Sequence, residues 1–529
     1  MDTLLKLTFS LFLLLSGYSA AGPTAFAQSS ASGVVFEDLN ENGTRDKDEP
    51  GIEGVMVSNQ KDVVLTDRDG RYSLPVTNQT LLFVTKPASY RFHLNELNLP
   101  QFYYIHQPEG SPVLNFHGLE PTGPLPNSVD FGLIPSEKKE TFTVITYGDP
   151  QPRNDTELSY YRDKIVNELA VTDSDFVMVL GDIMYDDLSL YDRYNSLMSK
   201  LNQPVFNVYG NHDINFDADG NEFGRETFKR HYGPSFYSFE EGDVHFLVLD
   251  NIDYLGYNEE GDSQYKGGIS PQQMTWIRNN LNHADKDKRI VLAAHIPLHT
   301  PGLEDVDVVN TENRKKLFEI LDPFDDVIFL AGHMHTNFHS FLGQDFGRTN
   351  ANPVHQIITS AASGSWWGGP KDENGIPVST QRDGAPNGYH VIEFSGADYI
   401  EYYKPAGKDS SYQMRIESPE PEIRLRDDNT ELLVNVFNGS EKSEVRYKIN
   451  RSDWITMDRL DLAVSPFFKS LLEQNPGTFA SWIQPVRTTH IWRADLTGHL
   501  TVGTHRITVR TEDQFGHIYT GIKVIEVKE

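Results

Sequence analysis

Residues 327–335 read Val-Ile-Phe-Leu-Ala-Gly-His-Met-His: five apolar residues run straight into Gly332, His333, Met334 and His335. A short apolar run closed by a glycine predicts a buried strand. The two histidines then fall at its carboxyl end, where α/β sheets hold their ligands. Four earlier segments repeat this pattern. Strand 141–147 leads into Gly148-Asp149-Pro150-Gln151, and strand 175–180 into Gly181-Asp182-Ile183-Met184-Tyr185. Strand 204–209 leads into Gly210-Asn211-His212-Asp213, and strand 289–294 into His295-Ile296-Pro297. Each motif alone has a bland reading, since Gly-Asp is commonly a turn and His-x-His commonly structural. Five in order, each on a strand end, would converge on one edge.

Helical segments separate these strands. They are expected at 156–170, at 270–281 opened by Ser270-Pro271, and at 311–321 opened by Thr311. The region from 137 to 404 is therefore an α/β layered domain. On either side the pattern is β: short strands near 34–36, 54–58, 63–66, 71–74 and 81–85, and again at 431–436, 503–510 and 518–527. We expect a β-sandwich over 28–136 and a second β-rich domain over 405–529. The stretch from Pro121 to Pro126 and the charged run 136–140 read as linker.

Residues 1–27 read as a signal peptide, with Lys6, an apolar run Leu7–Leu15 and the cleavage site Ala25-Phe26-Ala27. That run is too short for the ~30 Å hydrocarbon core of a bilayer. No later segment approaches a transmembrane length, so a secreted or periplasmic protein is expected. The chain contains no cysteine, which excludes a thiol nucleophile, thiolate metal ligands and a lipid-modified cysteine. Its formal charge of −30 repels polyanions, so nucleic acid is not expected as a bulk partner, although a metal site could draw in a small phosphoester.

Carboxylate, amide and imidazole donors without sulfur suit manganese, iron or zinc. Two such cations about 3.5–4 Å apart can clamp a phosphoryl group and generate hydroxide from water. Glycine before each ligand would let the backbone turn sharply.

The arrangement resembles the calcineurin-like metallophosphoesterases over roughly residues 141–404, and the flanking regions resemble the accessory modules of secreted bacterial members. The resemblance implies a four-layer α/β/β/α sandwich and hydrolysis of a phosphate mono- or diester at a two-metal centre. It implies Asp149 and His335 on the first metal, Asp182 bridging, and Asn211, His295 and His333 on the second. His212 would protonate the leaving oxygen, with Asp213 orienting its ring. One position departs, because Gln151 stands where the family carries histidine. Either Gln151 ligates through its amide oxygen, or Tyr185 does so as in the purple acid phosphatases, or Tyr185 packs beside the site.

Trp366-Trp367-Gly368-Gly369 follows a strand near 356–360 and would overhang the metal edge, where the paired rings could bind substrate or simply pack. His245 lies inside an apolar strand and reads as a core histidine; His299 could line the pocket or a solvated loop. Residues 38–49 place Asp38, Asn40, Asn42, Thr44, Asp46 and Glu49 at positions 1, 3, 5, 7, 9 and 12 of a calcium-loop spacing, with Gly43 at position 6. No helix pattern flanks it, so a structural calcium between strands is expected, against an Asx-rich turn. A non-catalytic surface or glycan-binding protein is the reading from another class; the intact donor set argues against it.

Overall fold

The structure, a computed structural model, describes residues 29–425 and 430–529. The leader sequence expected at 1–27 lies outside the described residues.

Two sheets form the middle of the molecule. The first has strands in the order Val205–Asn207, Phe176–Val179, Thr141–Tyr147, Gly388–Ser395 and Asp398–Pro405. The second runs Tyr237–Glu241, Val244–Val248, Arg289–Ala293, Val327–Ala331, Val354–Ile358 and Phe338–Leu342. The ligand-bearing strands pair in parallel within each sheet, and antiparallel strands close every edge but that of Val205–Asn207.

Strand alternation builds the layers. Phe142, Val144, Phe176 and Met178 belong to the core shared with Phe246, Leu292 and Phe329 of the second sheet, whereas Ile145, Tyr147, Val177 and Val179 face the other way. The Phe206 and Phe239 rings stack between the sheets at 4.3 Å. On the outer face of the first sheet lies the helical run 155–169, which contributes Leu158, Tyr161, Ile165 and Leu169. On the outer face of the second lie Pro271–Leu281 and Arg314–Leu321, through Trp276, Ile277, Leu317 and Phe318. Strands covered on both faces are apolar at most positions, which is why they read as near-continuous runs rather than alternating ones. The result is a four-layer α/β/β/α sandwich.

Ser270 caps its helix as expected, accepting from the Gln273 N–H. Thr311 does not open a helix. Its hydroxyl donates to the Pro297 carbonyl, and the helix begins at Arg314. The buried loop after Pro297 needed a donor, and this tertiary bond outcompetes capping.

The N-terminal region folds as two four-stranded sheets. Its core is continuous with that of the middle region: Phe83 packs edge-on against Trp276, ring centroids 5.8 Å apart. The C-terminal sheets enclose a separate cluster around Leu432, Val434, Trp492, Ile507 and Val509. Polar bonds join it to the middle region, with His490 between Asn435 and Asp383. Among the described residues, no helix is long and apolar enough to cross a membrane.

Candidate metal centre

All five motifs meet at the carboxyl edge of the two sheets. An isolated β-bridge between Gly148 and Ala361 joins the sheets there. Asp149, Gln151, Asp182 and Asn211 arrive from strands of the first sheet; His295, His333 and His335 arrive from the second.

The glycines act mainly through space. A Cβ on Gly210 would lie 2.1 Å from the Asp182 nitrogen, and one on Gly332 would lie 2.9 Å from the Asp149 carboxylate. Gly181 takes the sharp turn expected of it, with φ 83°, but the others fall on the donor residues: Asp149, Gln151, Asp182, His333 and His335 have φ of 57°, 38°, 51°, 72° and 53°. Non-glycine residues in this region cost on the order of 1–3 kcal/mol each and concentrate at functional sites.

The histidine tautomers are fixed by geometry. His295 Nδ1 lies 2.7 Å from the Leu180 carbonyl, His333 Nε2 lies 2.9 Å from Val308, and His335 Nδ1 lies 2.5 Å from Gly364. A carbonyl only accepts, so each of these nitrogens carries the proton, and in the neutral ring the other nitrogen is a bare lone pair. Those lone pairs converge. His295 Nε2 is 3.1 Å from Asp182 Oδ2, 3.1 Å from Asn211 Oδ1 and 3.1 Å from His333 Nδ1. His335 Nε2 is 3.5 Å from Asp149 Oδ1. The amide of Gln151 donates to Asp182 Oδ2 at 2.6 Å, while its Oε1 is buried without a partner. A buried orphan acceptor among lone pairs is an arrangement that a cation satisfies. The donor set fits two N/O-ligated divalent metals, one at Asp182, His295 and His333, where ligand atoms lie within 4.8 Å of one another.

Electrostatics agree with that crowding. Burial raises the Asp149 carboxyl. Against burial, His295 and His212 hold Asp182 below the carboxylate range. Burial, reinforced by His295, drives the His333 ring down to about 3.

Asp213 does not orient His212. Its carboxylate accepts from the backbone N–H groups of Ile183, Met184 and Gly210 and from the Tyr191 hydroxyl, so it braces the loops. The partner of the His212 ring is Asp186, 2.6 Å from Nδ1. Asp186 lies four residues after Asp182 on the same loop, so this partner is local in sequence. Asp182 and Asp186 raise the His212 ring against its burial. Tyr185 stacks on that ring, centroids 4.5 Å apart and planes at 20°.

The tryptophan pair divides. Trp367 is buried, donates to the Pro150 carbonyl at 2.9 Å and packs against Tyr160 and Tyr161, which removes it from any substrate surface. Trp366 stacks on His335 at 3.7 Å. His245 is a core histidine, 2.7 Å from Asn280 Oδ1. His299 is buried against Phe346 and joins no cluster with the metal ligands.

In the loop 38–49, Asp38 is fully buried and accepts from the Gly43 and Asn42 N–H groups, with His93 Nε2 at 2.8 Å. Glu49 accepts from Leu39 and Asp46 N–H, and Asn42 Oδ1 from Thr44 N–H. Asn40 and Asn42 turn amide N–H groups toward Asp46.

Residues 142–337 match the calcineurin-like phosphoesterase family, residues 39–120 its N-terminal module and residues 357–519 its C-terminal module. A probable glycerophosphodiester phosphodiesterase of Arcobacter nitrofigilis is 28% identical over 188 residues, 35% of this chain and 64% of the relative. A manganese-dependent ADP-ribose/CDP-alcohol diphosphatase of Xenopus laevis is 23% identical over 270 residues, 37% of this chain and 75% of the relative. A solved dimetal phosphatase from Danio rerio aligns with a TM-score of 0.33 at 15% identity, over 49% of this chain and 98% of its own.

Proposed function

Because the chain belongs to the calcineurin-like phosphoesterases, we propose that it hydrolyses phosphate mono- or diesters with two divalent cations held by Asp149, Gln151, Asp182, Asn211, His295, His333 and His335. The observation that carries this is the convergence of His295 Nε2, His333 Nδ1, the Asp182 carboxylate and the Asn211 amide oxygen on one buried point, with the other nitrogen of each ring engaged by a backbone carbonyl. Manganese, iron or zinc suits donors of this kind. When bound, such cations supply Lewis acidity to the phosphoryl oxygens and activate a water.

The protein's own part is orientation and proton delivery. Asp186 fixes the His212 ring and favours its protonated form, so that it donates to the leaving oxygen. Tyr185 holds the same ring by stacking, which supports a packing role over iron-tyrosinate ligation. Trp366 would flank the substrate. The loop 38–49 is proposed to bind calcium on its residue spacing. The leader pattern at 1–27 supports a secreted or periplasmic location, with a small phosphoester as partner.

The test is hydrolysis of para-nitrophenyl phosphate and its bis ester by the full chain reconstituted with manganese, zinc or iron. Metal-dependent turnover abolished by chelator is expected. Absence of turnover with all three metals on both esters would overturn the reading.

A further inference from the structure

Three residues meet beside His335: Trp366, already placed at the substrate's flank, and Trp482 and Arg382, which the chemistry above does not use. Trp366 covers the His335 ring with planes at 21°. It is only 9% exposed, sits at φ 51° and buries its indole N–H without an acceptor. A bulky residue in a left-handed conformation with an orphaned donor is not what packing alone selects.

Trp482 meets Trp366 edge-on, centroids 4.4 Å apart and planes at 75°, yet is 49% exposed. It comes from the C-terminal region, and the chain around it is pinned to both loops of the site. The Gly369 N–H donates to the Thr478 carbonyl at 2.9 Å, and the Val486 N–H donates to Arg382 at 3.1 Å. Phe479 fills the space beside Gly369, where a Cβ would lie 3.1 Å from its ring.

Arg382 donates its backbone N–H to the His335 carbonyl at 3.3 Å and its Nε–H to Gln484 at 3.2 Å. Its guanidinium carbon stands 6.0 Å from the Trp366 ring centroid. Among the described residues its guanidinium makes no ion pair with a carboxylate; the adjacent Asp383 is engaged by His490 at 3.1 Å. In a chain of formal charge −30, a guanidinium that forms no direct ion pair among the described residues, at the rim of an anion-processing site, is a distinct feature.

We propose that Trp482 and Arg382, seated on Trp366, form a substrate subsite beside the metal centre, and that it takes a nucleoside monophosphate moiety. The base stacks on Trp482, and the guanidinium receives the phosphate attached to it. Glycerol has no flat face to stack, a sugar phosphate without a base is the comparison made in the test below, and a lipid chain would need an apolar groove rather than one open ring beside a cation. The assignment rests on the phosphoesterase reading of the neighbouring centre.

Calorimetric titration of the metal-loaded full chain with AMP, ribose 5-phosphate and inorganic phosphate tests it. Stacking of one base on an aromatic side chain corresponds to about 5- to 150-fold in affinity, so AMP should bind tighter than ribose 5-phosphate by a factor in that range. Trp482→Ala should erase the difference, Trp482→Phe should keep most of it, and Arg382→Gln should weaken both ligands alike. Melting curves check that each variant folds. Equal binding of AMP and ribose 5-phosphate by the unmodified protein, or a gap that survives in folded Trp482→Ala, would overturn the subsite. A gap in a protein that hydrolyses no phosphate ester would instead overturn the hydrolase reading and leave the subsite standing.

Discussion

His295 Nε2 stands 3.1 Å from His333 Nδ1, and because the other nitrogen of each ring is engaged by a backbone carbonyl, a single proton or a single cation must lie between them. Two lone pairs at hydrogen-bond distance are repulsive unless something positive lies between them. Proton and metal therefore compete for the same space, and burial disfavours the proton on His333.

Metal binding should accordingly stabilise the fold. A cation that binds the native state alone contributes about RT ln(1 + [L]/Kd), or about 2.7 kcal/mol at a hundredfold excess over Kd. Calorimetric melting with manganese or zinc and then with chelator measures this. His333→Ala should lose most of the response, and an identical Tm with and without chelator in the unmodified protein would refute the site.

Removing Asp186 and removing Asp213 should have different consequences. Asp186→Asn loosens the His212 ring and should lower turnover about 10- to 100-fold on esters with poor leaving groups, within the range of general acid catalysis. Its metal content should be unchanged by elemental analysis. Asp213→Ala strips the acceptor from three backbone N–H groups and a tyrosine hydroxyl. At about 1–3 kcal/mol for a buried group left unpaired, that variant should show a lowered Tm before any kinetic effect. A stable Asp213→Ala with activity lost would restore the catalytic assignment to Asp213.

Tyr185→Phe keeps the ring that stacks on His212 and removes only the hydroxyl. We expect full metal occupancy and turnover within about threefold of the unmodified protein, an effect of about 0.6 kcal/mol on the transition state. A coloured protein bleached by this substitution would establish iron-tyrosinate ligation instead.

Calcium is best tested on the whole chain. Phe83 of the N-terminal region packs on Trp276 of the middle region, so excision of residues 28–136 would expose a shared core. Calcium should raise the Tm of the full chain, and Glu49→Ala should abolish that rise while hydrolysis persists. Unchanged melting on adding calcium would identify the loop as an Asx-rich turn closed by its own backbone.

Acid stability has an identifiable contributor in Glu240. Against its burial, His245 and Lys288 pull its pKa down from 4.5 to about 2. A carboxyl depressed in the folded state stabilises above its unfolded value and loses that contribution as pH falls toward the folded one. The stability gap between the unmodified protein and Glu240→Gln, up to about 3 kcal/mol, should therefore shrink between pH 5 and pH 3. Denaturant titration across that window measures it, and a constant gap would show that packing, not charge, explains the effect.

The convergence of the five motifs could be read from the chain because each motif follows its own strand: a local apolar run, a small residue, then one or two donors. The layering was legible for the same reason. What could not be read were relationships between distant segments. Asp213 sits beside His212 in sequence, yet the Tyr191 hydroxyl and three N–H groups claim its carboxylate. Trp367 looked equivalent to Trp366, but the Pro150 carbonyl draws it into the core. Trp482 and Arg382 carry no local motif, and only the path of the C-terminal chain brings them to His335.

The division of donors between the sheets bears on how the sandwich is held together. The amide and carboxylate donors hang from one sheet and the imidazoles from the other, and at that edge a short run of backbone bonds joins Gly148 and Asp149 to residues 360–363. Cations coordinated from both sides would act as rivets through the two halves of a hinge. In that arrangement the same ions set the spacing of the reactive groups and lock the sheets against splaying, so loss of metal loosens the geometry of the edge even where the rest of the core remains packed.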